Sequence, residues 1–267
     1  MSAEGSGGVH VHQWPQALVD IPIGPCLVPS YPPWLGSLIK EIKPYHRTVQ
    51  DSFRIRNVTH GTFTRTQAHD CLIQFYPLME TFPHWASLNV EKTSDCALRA
   101  TLQRHVRAIK WQAHRWRQMA EGFGVSRQQL FETSIRMNVK VLNQYLWTVT
   151  HRQSLAESMM VLGYVLGGAV RLMAPSLLNG ITRYEQRMNL ILTKNTQSWV
   201  RSHRLSTGRC IRESLEIVSR HVSTQSEQLG VRAEAIQSLE FLLMALQASD
   251  GEYDPYDSYW RIYHVAA

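Results

Sequence analysis

Apolar residues recur along this chain at the spacing of an α-helix, and no useful length alternates as a β-strand does. Leu35, Leu38 and Ile42 form one stripe of a helix that begins near Trp34. The same spacing predicts further helices over 63–87, 94–122, 127–150, 154–175, 196–222 and 225–248. The pattern therefore predicts an all-α domain of seven to eight helices.

Several predicted helix boundaries carry local signals. Ser126 and Gln129 have the spacing of a capping box, and so do Ser154 and Glu157. Gly124, just before the first of these boxes, can take the left-handed conformation that ends a helix. A proline at 175 predicts the end of the helix that begins after Ser154.

Composition divides the chain into three parts. Residues 1–30 are rich in Gly, Pro and Ser and predict a flexible arm, residues 31–250 the helical domain, and residues 251–267 an acidic, aromatic tail. With 44% hydrophobic and 18% charged residues, the chain can bury a sizeable core. No apolar run predicts a membrane span, and no basic segment precedes an apolar one as in a signal peptide. We expect a cytoplasmic protein that does not act at a membrane.

The formal net charge of +7 raises the question of nucleic-acid binding. The basic residues are spread over mixed helical phases, and no helix-turn-helix, zinc-finger or aromatic-and-basic motif accompanies them. We therefore expect a solvated basic surface rather than a nucleic-acid groove. The four cysteines are widely spaced and form no CxxC pair, which argues against a disulfide framework or structural zinc and fits a reducing compartment.

Four segments resemble, in the same order, segments of the TenA-like and diiron-oxidase branches of the heme-oxygenase-like superfamily. They are SYPPWLGSLIKEI, FYPLMETFPHW, HRWRQMAEGFGVS and WVRSHRLSTGRCIRESLEIV. Within that superfamily they are most similar to the fatty-acid decarboxylases that form terminal alkenes such as undecene. The resemblance implies a helical bundle around a central pocket. It also implies relatives that perform oxygen chemistry on small carboxylates or amino acids.

The last of these segments carries the metal-ligand pattern of the diiron relatives, H-x3-D-x2-H. Spacings of four, three and seven place three ligands on one face of a helix, and two irons need about six such ligands. Matched to that pattern, His203 retains the first ligand position. Thr207 and Cys210 occupy the other two.

At the other positions where the family has metal ligands, this sequence also has different residues. Ile109 and Gln112 stand about where the resemblance places a Glu and a His, and Gly167 stands about where it places a further Glu. Glycine and isoleucine offer no metal ligand. The resemblance therefore implies a degenerate diiron site, and we expect no metal and no cofactor in the pocket.

The candidate catalytic residues are His203, Glu80 and Cys210. Glu80 matches a Glu of the decarboxylase-like relatives and is either a pocket acid or a structural hydrogen-bond partner. We interpret Cys210 as a small apolar residue rather than a nucleophile, because two helical turns separate it from His203. A pocket freed of carboxylates is more apolar and suits a small acyl or carboxylate ligand. The predicted ligand-binding residues are His203, Thr207, Cys210, Glu80, Gly167, Ile109, Gln112 and Tyr164.

Three kinds of function remain open. The first is a metal-independent, oxidoreductase-type enzyme, or a non-catalytic partner of an active homologue, in small-molecule biosynthesis; a homodimer is compatible with either. The second is an iron-dependent oxidase acting on a fatty or amino acid with the unorthodox ligands Glu80, His84, His114 and His203. The third is a thiaminase-like hydrolase, although the nucleophilic Cys and supporting acid of such enzymes have no matching segment here.

We expect the protein to bind iron weakly or not at all, because residues without hard ligand atoms stand at most of the family's ligand positions. Metal analysis after ferrous loading under anaerobic conditions is the measurement. More than one tightly held iron per chain would contradict this expectation and favour the iron-oxidase alternative.

Overall fold

The structure is a computed structural model that describes residues 31–194 and 197–247, without the side chains of residues 172, 174, 175 and 203–207. The predicted arm over 1–30 and tail over 251–267 lie outside the described residues. Every regular element in the described part of the chain is helical. The all-α prediction is therefore confirmed.

The described residues form eleven α-helices and one π-helical segment, joined by loops. They are α1 (Pro33–Asp51), α2 (Phe53–His60), α3 (Arg65–Glu91), α4 (Cys96–Ile109), α5 (Gln112–Gly122), α6 (Arg127–Glu132), α7 (Met137–Arg152), α8 (Leu155–Met159), the π segment (Met160–Leu166), α9 (Gly167–Met188), α10 (Ser198–His221) and α11 (Gln225–Gln247). The predicted count of seven to eight helices is wrong, because several predicted helices are interrupted.

One interruption separates α6 from α7, where the sequence predicts a continuous helix. The loop between them is held to α3 by hydrogen bonds: Gln74 donates to the Ser134 carbonyl at 3.2 Å and accepts from the Arg136 backbone N–H at 2.7 Å. The Arg136 guanidinium also pairs with Asp70 at 2.7 Å. These long-range bonds satisfy backbone groups that a helix would otherwise pair internally. The stretch over 94–122 is likewise broken, at Trp111.

The helix predicted to end at residue 175 instead continues to Met188. Its two parts, Leu155–Arg171 and Ser176–Met188, differ in direction by 49°. Proline can bend a helix when tertiary packing supports both halves. The helix ends at Asn189, which adopts the left-handed conformation with φ 51°.

The helix starts predicted at Ser126 and Ser154 are confirmed. The Ser126 and Ser154 side chains each accept a hydrogen bond from the third residue of the following helix. In return, the Gln129 and Glu157 side chains accept from the backbone N–H groups of Ser126 and Ser154, which completes two capping boxes. Gly124 has φ 88°, as predicted for a left-handed helix end. These features are local, so sequence spacing is enough to predict them.

Two helices, α3 and α10, pack against most of the elements that surround the interior. α3 packs against α4, α5 and α7, while α10 packs against α8, the π segment and α9. Trp85 and Tyr76 of α3 are among the largest fully buried side chains. This arrangement places α3, α4, the π segment and α10 around a common interior.

The π segment and α10 approach each other very closely. A Cβ atom added at Gly163 would lie 1.9 Å from Ser214 Oγ and 2.5 Å from Ser214 Cβ. The Ser214 hydroxyl is fully buried and donates to the Cys210 carbonyl at 2.7 Å. Only glycine permits this approach at position 163.

In the part of the chain that the structure describes, no single helix has the length and apolar content needed to cross a membrane. Leu155–Arg171 and Ser176–Met188 meet those criteria only when taken together as a bent pair.

We expect Gly163→Ala to lower the free energy of unfolding by about 1–3 kcal/mol, because the added methyl overpacks the contact with Ser214. Gly36→Ala is the matched control: no atom lies within 4 Å of a Cβ at this α1 position, so alanine should stabilise by about 0.5–1 kcal/mol. Urea unfolding measures both. Equal stability of the two variants would contradict the packing account, and Ser214→Gly should partly rescue Gly163→Ala.

Candidate functional site

A cavity of about 110 Å³ lies between α3, α4, α5, the π segment, α9 and α10. Most of its wall is aliphatic, aromatic or thioether. The apolar lining residues are Met79, Phe82, Ala86, Leu102, Ala108, Ile109, Met159, Leu162, Leu166 and Val170. The lining residues with polar atoms are Asn89, His105, Gln112, Trp199, Cys210 and Ser214, and glycines at 163 and 167 complete the wall.

Four of the predicted ligand-binding residues line this one cavity, although they come from four different helices. They are Ile109, Gln112, Gly167 and Cys210. The structure therefore brings together the positions that the resemblance assigns to a pocket. The side chains of His203 and Thr207 lie outside the described residues.

The other two predicted residues are not part of the cavity wall. Glu80 is exposed, and its carboxylate accepts a hydrogen bond from the Tyr76 hydroxyl at 3.1 Å. Tyr164 is buried and packs edge-on against His46, with ring centroids 5.6 Å apart. Burial raises the pKa of Tyr164 to about 12, so its hydroxyl stays protonated at neutral pH.

Three of the four residues considered for an unorthodox iron site are not part of the cavity wall either, and the side chain of the fourth, His203, lies outside the described residues. Glu80, His84 and His114 are all exposed, and none lines the wall. Among the side chains that the structure describes, no group of three or more His, Cys, Asp or Glu residues is placed to hold a metal ion.

Two buried side-chain amides, those of Asn89 and Gln112, line the cavity. Asn89 is 1% exposed and Gln112 is 4% exposed. Asn89 Nδ2 donates to Met159 Sδ at 3.5 Å, but neither Asn89 Oδ1 nor Gln112 Oε1 has a hydrogen-bond partner among the described residues. A buried polar atom without a partner costs about 1–3 kcal/mol, and such atoms often mark a place for a ligand or an ordered water.

A histidine that sequence reasoning missed also faces this space. His105 Nε2 lies 2.5 Å from Glu213 Oε2, and Arg104 donates to Glu213 Oε1 at 3.1 Å. Burial raises the pKa of Glu213, but the hydrogen bonds from His105 and Arg104 outweigh it and hold that pKa below its usual value. Glu213 is therefore a carboxylate at neutral pH. His105 stands one turn before Ile109, so the same helical stripe could have suggested it.

Cys210 presents a neutral thiol to the cavity. Burial, together with the nearby charge of Glu213, raises its pKa to about 11. At pH 7 the Cys210 thiol is therefore almost entirely protonated. A neutral thiol is a weak nucleophile and a small, polarisable wall residue.

We expect N-ethylmaleimide to modify the exposed Cys96 well before Cys210 at pH 7, as followed by peptide mass spectrometry. Between pH 7 and pH 9 the Cys210 rate should rise about tenfold per pH unit, because the thiolate fraction grows by that factor below a pKa of about 11. A Cys210 rate equal to that of Cys96 at pH 7 would contradict the burial account.

The arrangement of helices is shared with solved structures of low sequence identity. A TenA homolog from Pseudomonas syringae pv. tomato superimposes with a TM-score of 0.75 at 20% identity, covering 82% of this chain and 93% of its own. A TenA homologue from Pyrococcus furiosus gives 0.65 at 17% identity, covering 80% and 98%. The heme oxygenase from Leptospira interrogans gives 0.56 at 14% identity, covering 80% and 98%. These likenesses show a heme-oxygenase-like fold.

The sequence itself carries a family signature. No curated protein matches it significantly. The profile of the TENA/THI-4/PQQC family, however, matches residues 55–248, a range that includes every described residue of the cavity wall. The chain therefore belongs to the TENA/THI-4/PQQC family.

Proposed function

We propose that this family member binds a small organic molecule in the cavity between α3, α4 and α10, without a metal ion. The observation that carries the proposal is the pair of buried amide oxygens on Asn89 and Gln112, which lack partners at the wall of an otherwise apolar cavity. A ligand that donates hydrogen bonds to them would recover the free energy that their burial costs.

The chemistry of the wall narrows the class of ligand. Among the described lining residues there is no Lys or Arg, and the Glu213 carboxylate is bonded to His105. An anionic carboxylate would therefore be buried without a cation beside it, which is costly. A neutral group fits better: a hydroxyl, an amide, or a protonated carboxyl. Because a primary amide can also turn its NH₂ toward a ligand, Asn89 and Gln112 suit a group that both donates and accepts.

The volume limits the size of the molecule. An engineered apolar cavity of about 150 Å³ in another protein binds benzene. A cavity of about 110 Å³ that opens to the surface therefore suits a small ring compound, part of which can extend through the opening, or a short acyl chain, rather than a complete long-chain fatty acid. Ala108 lines the cavity and is also exposed, so the wall reaches the surface beside it.

The residues of the cavity wall argue against a site for iron in this cavity. Ile109 and Gly167 stand in the wall, where the diiron relatives that the sequence resembles would need carboxylates. We therefore propose that the fatty-acid decarboxylase resemblance reflects common ancestry of the fold and not a shared metal site. A thiaminase-like role is also less favoured, because Cys210 is a thiol with a pKa of about 11.

The first test uses four small probes of similar size: benzamide, benzyl alcohol, benzoate and toluene. We expect benzamide and benzyl alcohol to raise the stability of the protein more than toluene or benzoate do. The gain should be about 2.7 kcal/mol at a hundredfold excess over the dissociation constant. Thermal unfolding with each probe measures it, and native mass spectrometry shows whether a molecule is carried through purification.

Three substitutions locate the effect. Gln112→Met removes the unpaired oxygen at similar volume, so it should abolish the preference for benzamide over toluene. Gln103→Met, at an exposed position of α4, is the control and should respond as the parent protein does. His203→Ala asks whether the residue retained from the family pattern also contributes. If no probe shifts unfolding and nothing is carried over, the ligand site is wrong and a role as a non-catalytic partner subunit is favoured.

A further inference from the structure

We infer that His105 is a general base for a molecule bound in this cavity and that Glu213 is its positioning residue, so that the protein is an enzyme of proton transfer. This inference rests on the proposed ligand site and assigns it a chemistry. It comes from the position of the His105–Glu213 pair, which joins α4 to α10 at the cavity wall.

The hydrogen bonds around the imidazole determine which nitrogen is basic. Glu213 accepts from His105 Nε2 at 2.5 Å, and Arg104 holds the other carboxylate oxygen at 3.1 Å. A carboxylate can only accept, so the proton of a neutral His105 ring is on Nε2. The lone pair is then on Nδ1, which has no hydrogen-bond partner among the described residues.

Burial makes this base suitable for catalysis. The side chains of His105 and Glu213 are 10% and 18% exposed, so little water competes for either group. A carboxylate that orients a histidine also stabilises the imidazolium that forms when the ring takes up a proton. A purely structural bridge between α4 and α10 would not require the ring to line a cavity.

The reaction that these groups support needs no further reactant. The Nδ1 lone pair takes a proton from the ligand, and the electrons of the broken bond remain on the ligand as an anion. The amide NH₂ groups of Asn89 and Gln112 can turn to stabilise that anion. Returning the same proton to a different atom completes an isomerisation. The substrate class is a small neutral molecule with an acidic C–H next to a carbonyl or imine group.

The probe for this inference is 5-nitrobenzisoxazole, a small, neutral, apolar bicycle. A base removes the proton from C3, the C–H electrons form the nitrile, and the N–O bond breaks to release 2-cyano-4-nitrophenolate, which absorbs visible light. We expect a saturable rate above that of buffer. His105→Ala should lower kcat by roughly 100-fold, within the usual contribution of a general base.

Further variants distinguish a catalytic role of the His105–Glu213 pair from a structural one. Glu213→Gln keeps the shape of the side chain but not its charge, so kcat should fall at least about tenfold while KM stays nearly constant, because the imidazolium loses its stabilising charge. His114→Ala, at an exposed position of α5, is the control and should keep the parent rate. His105→Gln replaces His105→Ala if circular dichroism shows that the latter is not folded.

Binding of 5-nitroindazole, which has nearly the same shape but cannot react, is measured in parallel by calorimetry. No rate above buffer, or a full rate in both His105 variants, overturns the assignment of His105 as a base. If 5-nitroindazole or the benzamide series still binds, the proposed ligand site stands and only the enzymatic inference fails. If neither binds, the proposed function fails together with it.

Discussion

The contact between the π segment and α10 determines the cavity and much of the packing around it. Gly163 and Ser214 lie so close that no side chain fits at position 163. The two helices therefore meet almost backbone to side chain, and the glycines at 163 and 167 leave open a part of the wall that longer side chains would fill. Protein interiors are close-packed, so an interior volume of this size persists only where small residues leave it. The candidate site depends on this one close approach.

Some polar groups around the cavity have hydrogen-bond partners and others do not. We distinguish a structural role from a functional one by this difference. Glu213 is held by Arg104 and His105, which ties α4 to α10. Asn89 and Gln112, in contrast, keep unpaired oxygens in the same interior. Stability alone would favour apolar side chains at these two positions, because an unpaired buried oxygen costs free energy. The ligand site that we propose accounts for their presence, because a bound molecule would pair with them.

Interactions between residues close in sequence were predicted well. The spacing of apolar residues indicated an all-α domain, and the capping boxes at Ser126 and Ser154 lie where their spacing places them. The interruptions inside longer helices were not predicted. The break between α6 and α7 depends on Gln74 and Asp70 of α3, about 60 residues away. The helix through residue 175 bends instead of ending, because packing against α2 and α10 supports both halves.

The sequence by itself determined the fold class and the family. Its resemblance to the family placed Ile109, Gln112, Gly167 and Cys210 at positions that do line it. Only the tertiary structure brought forward two further lining groups, Asn89 and His105, and the partner of His105, Glu213. A helical stripe tells which face of a helix points inward, but not which side chains of distant helices meet. The His105–Glu213 bond joins residues 108 positions apart, so it exists only once α4 and α10 have packed.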